Sequence, residues 1–180
     1  MCAYRDGDGT AFEVLFRRHR APLYRYLLRQ CGGGVAEELS QDCWSKVIRA
    51  RSNYTVSAKF STWLFRIAHN RLIDHFRAEQ RSALASYDDA EALDQTLQSA
   101  PDLPQRQPDA MLVRKELAQN LLQALAALPA AQREAFILHA EGGLTIEEIA
   151  AATEVGRETA KSRLRYALAR LRKTLREEVA

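Results

Sequence analysis

The 180 residues of this chain predict an all-α fold of two small helical domains joined by a flexible linker. Apolar residues recur at three- and four-residue spacing through both ends of the chain, and no alternating stretches offer themselves as paired strands. Gly and Pro punctuate the periodic runs at Gly32-Gly33-Gly34, Pro129 and Gly142-Gly143. From Ser82 to Ala110 the periodicity fails over a stretch holding three prolines and six acids. The expected division is a domain over 1–81, a linker over 82–110 and a second domain over 111–180.

In the first domain, Phe12, Leu15, Phe16, Leu23, Tyr26 and Leu27 place a helical face over 10–30. Pro22 makes either a break there or the first turn of a second helix. After the glycines, a helix from about Ala36 to Arg49 carries Leu39, Cys43 and Val47 on one stripe and Glu38 and Asp42 on another face. Arg51 to Val56 reads as a loop, with Ser57 as the N-cap of a long helix over about 58–80. In the second domain, Leu117, Leu121, Leu125 and Leu128 mark a helix ended by Pro129, and another spans about 130–141. Thr145-Ile146-Glu147-Glu148 has the form of a capping box, and a last helix runs from about Arg157 to Glu177.

Composition removes several classes of function. No window approaches 18 uninterrupted apolar residues and the first residues have no apolar signal core, so neither a membrane span nor secretion is expected. Three cysteines without CxxC spacing speak against a disulfide framework and a zinc finger. Cys43 sits on an apolar stripe, the place of a buried inert thiol, which leaves little for a redox role. The four histidines have no metal-ligand spacing, so no metal or cofactor is expected. His69, the neighbour of Asn70 on its helix, suits a phosphate contact. Paired carboxylates, a nucleophile with its base and a phosphate-cradling Gly loop are all missing, so neither an enzyme nor a small-molecule substrate is expected. These features suit a cytoplasmic binding protein.

Charge says what it would bind. Residues 1–80 carry 13 basic and 8 acidic side chains, while residues 81–128 carry 4 and 7. Residues 157–176 then hold eight basic side chains and one acid. Two positive regions flanking an acidic middle suit two contacts with one polyanion.

The second positive region has the layout of a helix-turn-helix. A short capped helix with Ile146, Ile149 and Ala150 is followed by a turn at Thr153 to Gly156 and then a long basic helix. Ala150 lets the helices cross closely, Val155 fills the corner and Gly156 frees the backbone. At about 100° per residue, Ala160, Leu164, Leu168, Leu171 and Leu175 form the stripe that faces the core. Thr159, Ser162, Tyr166 and Lys173 lie opposite, with Arg163, Arg165 and Arg170 on the flanks. Lys161, Ser162, Arg165 and Tyr166, in the first turns, are the candidates for base edges, and Arg163 with the later cations for phosphates.

The first positive region is a stripe on the 58–80 helix. Lys59, Trp63, Arg66, Asn70, Arg77 and Arg81 fall within roughly 60° of one another, opposite Phe60, Leu64, Ile67, Ala68 and Leu72. Trp63 has two readings: a ring tucked into the core beneath exposed cations, or a stacking surface for an unpaired base beside cations that hold phosphates.

Here the residues meet a known family. VAEELSQDCWSKVIRA followed by FSTWLFRIAHNRLIDHFR resembles region 2 of bacterial RNA polymerase sigma factors. LPAAQREAFILHAEGGLTIEEIAAATEVGRETAKSRLRYALARLR is similar to their region 4. Two regions in that order with only a linker between them form the pattern of the extracytoplasmic-function (ECF) group. The resemblance implies a subunit that binds core RNA polymerase, recognises −35 and −10 promoter elements and begins melting at a restricted set of promoters. It implies that Glu38, Leu39, Gln41 and Asp42 grip the β′ clamp, and that the second domain holds the β flap. Trp63 and Asn70 would sit where a −10 base is flipped out, among Lys59, Arg66 and Arg77, with residues 51–59 as the specificity loop. Thr159, Lys161, Ser162, Arg163, Arg165 and Tyr166 would meet the −35 element. A cognate anti-sigma factor is expected by analogy.

Gly156 and Glu158 replace the family's usual Ser and Gly, and Tyr166 and Leu168 stand where arginines are common, so no relative's −35 sequence carries over. The 29-residue linker has an r.m.s. length of about 30 Å and a limit of about 95 Å. It can therefore span the roughly 58 Å between elements about 17 base pairs apart. Two competing readings are a stand-alone helix-turn-helix regulator, which leaves the first domain's signature without a purpose, and a sigma-like decoy for an anti-sigma factor, which should have lost its basic stripes.

Overall fold

The computed structural model describes the backbone of residues 1–85 and 108–177 and the side chains of 1–81 and 117–176. Every described element is a helix: α1 (Cys2–Arg5), α2 (Gly9–Cys31), α3 (Gly33–Arg49), α4 (Phe60–Ala85), α5 (Pro108–Ala126), α6 (Ala130–Ala140), α7 (Ile146–Ala152) and α8 (Arg157–Glu177). The expected linker is thus shortened at both ends, by four residues of α4 and three of α5. The expectation of flexibility falls on residues outside those described.

Local chemistry explains the helix ends, including those that differ from expectation. α2 starts at an N-cap the periodicity did not reveal, since Asp8 accepts from the backbone N–H of Thr10 at 2.9 Å and of Ala11 at 3.3 Å. Pro22 neither breaks α2 nor starts a new helix. The bond it withholds belongs to the carbonyl of Arg18, an exposed residue where water can take its place. Gly32, at φ 81°, supplies the break between α2 and α3, and α3 begins at Gly33, earlier than Ala36. α4 begins at Phe60, so Ser57 lies in a bend three residues ahead of the helix and does not cap it.

Packing begins with α2, α3 and α4, which form one three-helix unit. Leu23, Tyr26, Leu27, Cys43, Val47, Leu64 and Phe65 are at most 1% exposed within it. α5 to α8 form the second unit. Its helix-turn-helix seats Ile149, Ala150, Ala160 and Leu164 in the core, while Leu125, Leu128, Ala167 and Leu171 make a smaller cluster between α5 and α8. Leu117 departs from its stripe, being 54% exposed and outside the cluster that Leu121, Leu125 and Leu128 join.

The two units are pressed together, α4 against α7 and α2 against α6, and one continuous apolar core runs through both. At Gly142 the second unit comes close to Phe65 of the first. A Cβ there would fall 2.6 Å from the Leu138 carbonyl oxygen and 2.9 Å from the Phe65 ring. Around this apolar seam, three carboxylates of the second unit meet polar groups of the first. Glu134 accepts from the Tyr26 hydroxyl at 2.6 Å and meets His69 Nδ1 at 2.7 Å. Glu141 pairs with Arg25 at 2.6 Å and Arg29 at 3.0 Å, and Glu148 with Lys59 at 2.9 Å.

Candidate nucleic-acid interface

The α4 stripe is exposed where the spacing placed it. Lys59, Arg66, Asn70, Arg77 and Arg81 all face solvent, while Leu64, Ala68 and Leu72 are buried on the opposite side. Phe60 and Ile67, expected in that buried half, are half-buried instead, and Thr62 and Phe65 take fully buried places. Between its two readings, Trp63 falls in the middle. It is half-buried, its ring 5.1 Å from Tyr54 at 73° and 5.8 Å from Phe60 at 48°. A T-shaped neighbour fixes the tilt of an aromatic ring, and a partly exposed ring so fixed can serve as a stacking surface. His19 packs on the far side of Phe60 at 5.2 Å, where burial lowers its affinity for a proton. Tyr54 and His19 were not legible from helical periodicity, because Tyr54 lies in a loop and His19 on another helix.

Two residues of this unit differ from expectation. His69 is not placed for a phosphate. Its side chain is 14% exposed and turned to Glu134 of the other unit. Lys59 is exposed but held by Glu148 across the seam. The carboxyl of Glu148 is drawn below the usual carboxylate range, first by the Thr145 backbone N–H and then by Lys59. Tyr26 stays a neutral donor, because burial and the adjacent Glu134 carboxylate push its hydroxyl well up.

On α3, Glu38 and Gln41 are exposed and Asp42 is half-buried, paired with Arg71 of α4. Leu39 is 5% exposed and lies beneath that surface as part of the core. Burial raises the Cys43 thiol to about 12 and the Cys31 thiol to about 11, so at neutral pH neither presents the thiolate that redox chemistry uses.

The second unit forms the helix-turn-helix from the anticipated parts, with one substitution. Thr145 Oγ1 accepts from the Glu148 N–H at 3.3 Å, and Glu148 accepts from the Thr145 N–H at 3.0 Å, completing the capping box. Val155 packs at the corner. The left-handed residue of the turn is Glu154, at φ 55°, rather than Gly156. A Cβ at Gly156 would meet only Thr159 Oγ1, at 3.9 Å, so that glycine supplies room and not a special backbone conformation. Along α8, Thr159, Lys161, Arg165 and Tyr166 are exposed and Ser162 and Arg163 half-buried. Arg165 lies 5.0 Å over the Tyr166 ring, which orders its guanidinium in advance of any ligand. Lys161 is steadied by Glu158 at 3.7 Å.

Both units match known families: Sigma-70 region 2 over residues 15–82 and Sigma-70, region 4 over residues 118–171. The RNA polymerase sigma factor CarQ of Myxococcus xanthus is 34% identical over 179 residues, covering 98% of this chain and 96% of CarQ. The ECF RNA polymerase sigma factor RpoE of Cereibacter sphaeroides is 37% identical over 176 residues, covering 96% and 91%. The chain belongs to the ECF RNA polymerase sigma factors.

As a sigma factor it is a promoter-specificity subunit of RNA polymerase, and the matched region 2 rules out a lone helix-turn-helix regulator. The sigma factor RpoE of Bartonella quintana, solved with the anti-sigma factor NepR, is similar at a TM-score of 0.72 and 25% identity, covering 92% of this chain and 97% of that one. CnrH, solved with the cytosolic domain of CnrY, shares the fold at a TM-score of 0.65 and 22% identity, covering 97% and 93%. No described helix is long and apolar enough to cross a membrane.

Proposed function

We propose that this sigma factor, working in the cytoplasm, reads promoters with two surfaces and melts them without covalent chemistry. The carrying observation is the exposed α4 stripe, in which the half-buried Trp63 ring packs T-shaped against Tyr54 among cations, with Asn70 two turns along. Trp63 and Asn70 receive an extruded −10 base, while Lys59, Arg66 and Arg77 hold neighbouring phosphates. Stabilising that base offsets the few kcal/mol lost on unstacking. Lys161, Ser162, Arg165 and Tyr166 face −35 base edges, with Thr159 and Arg163 at its backbone. Glu38, Gln41 and Asp42 meet the β′ clamp with Leu39 as their support, and the second unit meets the β flap. Residues 1–81 and 111–180 are the two working domains, with 82–110 as spacer.

Because Lys59 is engaged by Glu148, and both units share a core, the seam has to part before −35 and −10 elements roughly 58 Å apart are read together. A sigma factor held closed suits a cognate anti-sigma partner, the kind of protein bound to the Bartonella quintana relative.

The test is permanganate reactivity of the −10 region in polymerase complexes carrying Trp63→Ala with Asn70→Ala. Opening should fall at least tenfold while co-elution with polymerase persists. Unchanged reactivity refutes the α4 assignment.

A further inference from the structure

Residues 51–59, the loop that delivers the chain into α4, have little to fix them. Val56 is 67% exposed, and among the described residues no backbone N–H from Tyr54 to Lys59 donates to a backbone carbonyl. Only the loop's ends are anchored, and Tyr54 at its near end is 6% exposed with its ring against Trp63. What anchors Tyr54 is α1, a helix that the periodicity did not reveal.

The contact is reciprocal. Arg51 Nε donates to the Tyr4 carbonyl at 2.8 Å, and Arg5 donates to the Tyr54 carbonyl at 3.3 Å. The Arg51 guanidinium also lies 4.8 Å over the Tyr4 ring, which is itself 5.1 Å from Phe12 of α2. Tyr4 is 9% exposed. A planar guanidinium that stacks and donates at once fixes direction as well as distance, which an ammonium would not. From α2 the path runs through Phe12 to Tyr4, which Arg51 holds, and through the adjacent Arg5 to Tyr54, whose ring lies against Trp63.

We infer that Tyr4 and Arg51 are positioning residues for −10 recognition: they brace the 51–59 loop and, through Tyr54, set the plane of Trp63. This inference rests on the reading of α4 given above. The brace touches no DNA itself. It acts on discrimination among −10 sequences, since a loosened ring accepts poorly fitting bases more readily and the correct base less well.

The test compares transcription by the full-length protein with core polymerase from promoters that differ only in the −10 bases. Arg51→Gln and Tyr4→Ala should each narrow the ratio between preferred and disfavoured −10 sequences by roughly fivefold, the worth of one aromatic contact. Tyr4→Phe, which keeps the ring, should retain the wild-type ratio, and the −35 preference should stay unchanged in all three. Leu125→Ala, which removes buried methyls from α5 in the second unit, serves as a destabilised control and should also keep the wild-type ratio. The brace is overturned if Arg51→Gln and Tyr4→Ala leave the ratio intact while Trp63→Ala narrows it, or if Leu125→Ala narrows it equally. If Trp63→Ala also leaves the ratio intact, the α4 assignment itself falls, and the brace with it.

Discussion

At the scale of single residues, the same chemistry that suits DNA has been given protein partners in the closed molecule. Lys59 lies on Glu148, Arg71 on Asp42, and Arg165 on the Tyr166 ring. For α8 this sorts contacts by role. Arg165, with a fixed plane near the start of the helix, suits a bidentate base contact, whereas Lys173 lies two turns further on, among later cations. Arg165→Ala should therefore reduce discrimination among −35 sequences, at about 1–3 kcal/mol per base misread, while Lys173→Ala should weaken all of them alike. Competition binding on a −35 library checks this, and equal losses for both would contradict the groove assignment. Gly142 makes a separate prediction. Because a Cβ would meet the Leu138 carbonyl at 2.6 Å and Phe65 at 2.9 Å, Gly142→Ala should cost about 1–3 kcal/mol in urea unfolding. The site residues on helices were legible because exposure follows a 3.6-residue period. The partnership of Tyr54 with Trp63 was not, because a loop residue carries no period.

At the scale of elements, α7 is short and depends on its first turn. Thr145→Ala removes one half of the capping box and should cost about 1 kcal/mol, visible in thermal unfolding. The other half titrates. Glu148 has a lowered folded-state pKa, caused first by the Thr145 N–H and then by Lys59. Its contribution is therefore complete above the ordinary glutamate value of about 4.3 and is lost as pH falls through the lowered folded value. Glu148→Gln should be less stable than wild type at pH 7, and the gap should close as unfolding is repeated towards pH 3. The capping box could be read directly from Thr145 and Glu148, which are three residues apart and need nothing else. Other helix boundaries were set by tertiary or conformational terms. Pro22 stays inside α2 because its lost bond falls at an exposed residue, and Phe60 rather than Ser57 marks the start of α4. The left-handed residue of the helix-turn-helix is Glu154 where a glycine two residues later would have been the natural choice.

At the scale of the whole molecule, the two signatures are independent in sequence but not in space. Phe65, Leu138 and Leu144 belong to one core, so the seam is apolar at its centre and charged at its edge. Periodicity identified which face of each helix is buried but not that α4 and α7 bury theirs against one another. A long-range pairing between two amphipathic units leaves no local trace. Spin labels on the two units should report one short distance in the free protein and a separation larger by tens of ångströms in the polymerase–promoter complex, as the roughly 58 Å between elements demands. An unchanged distance would mean that one of the two readers is misassigned. The claim on which the rest depends is that this chain directs polymerase to two-part promoters. The most direct measurement mixes purified protein with bacterial core polymerase, follows co-elution and maps transcription starts across a genomic promoter library. Co-elution together with new starts, each preceded by paired −35 and −10 sequences at constant spacing, is the expected result. Binding to duplex DNA with no affinity for polymerase would contradict it.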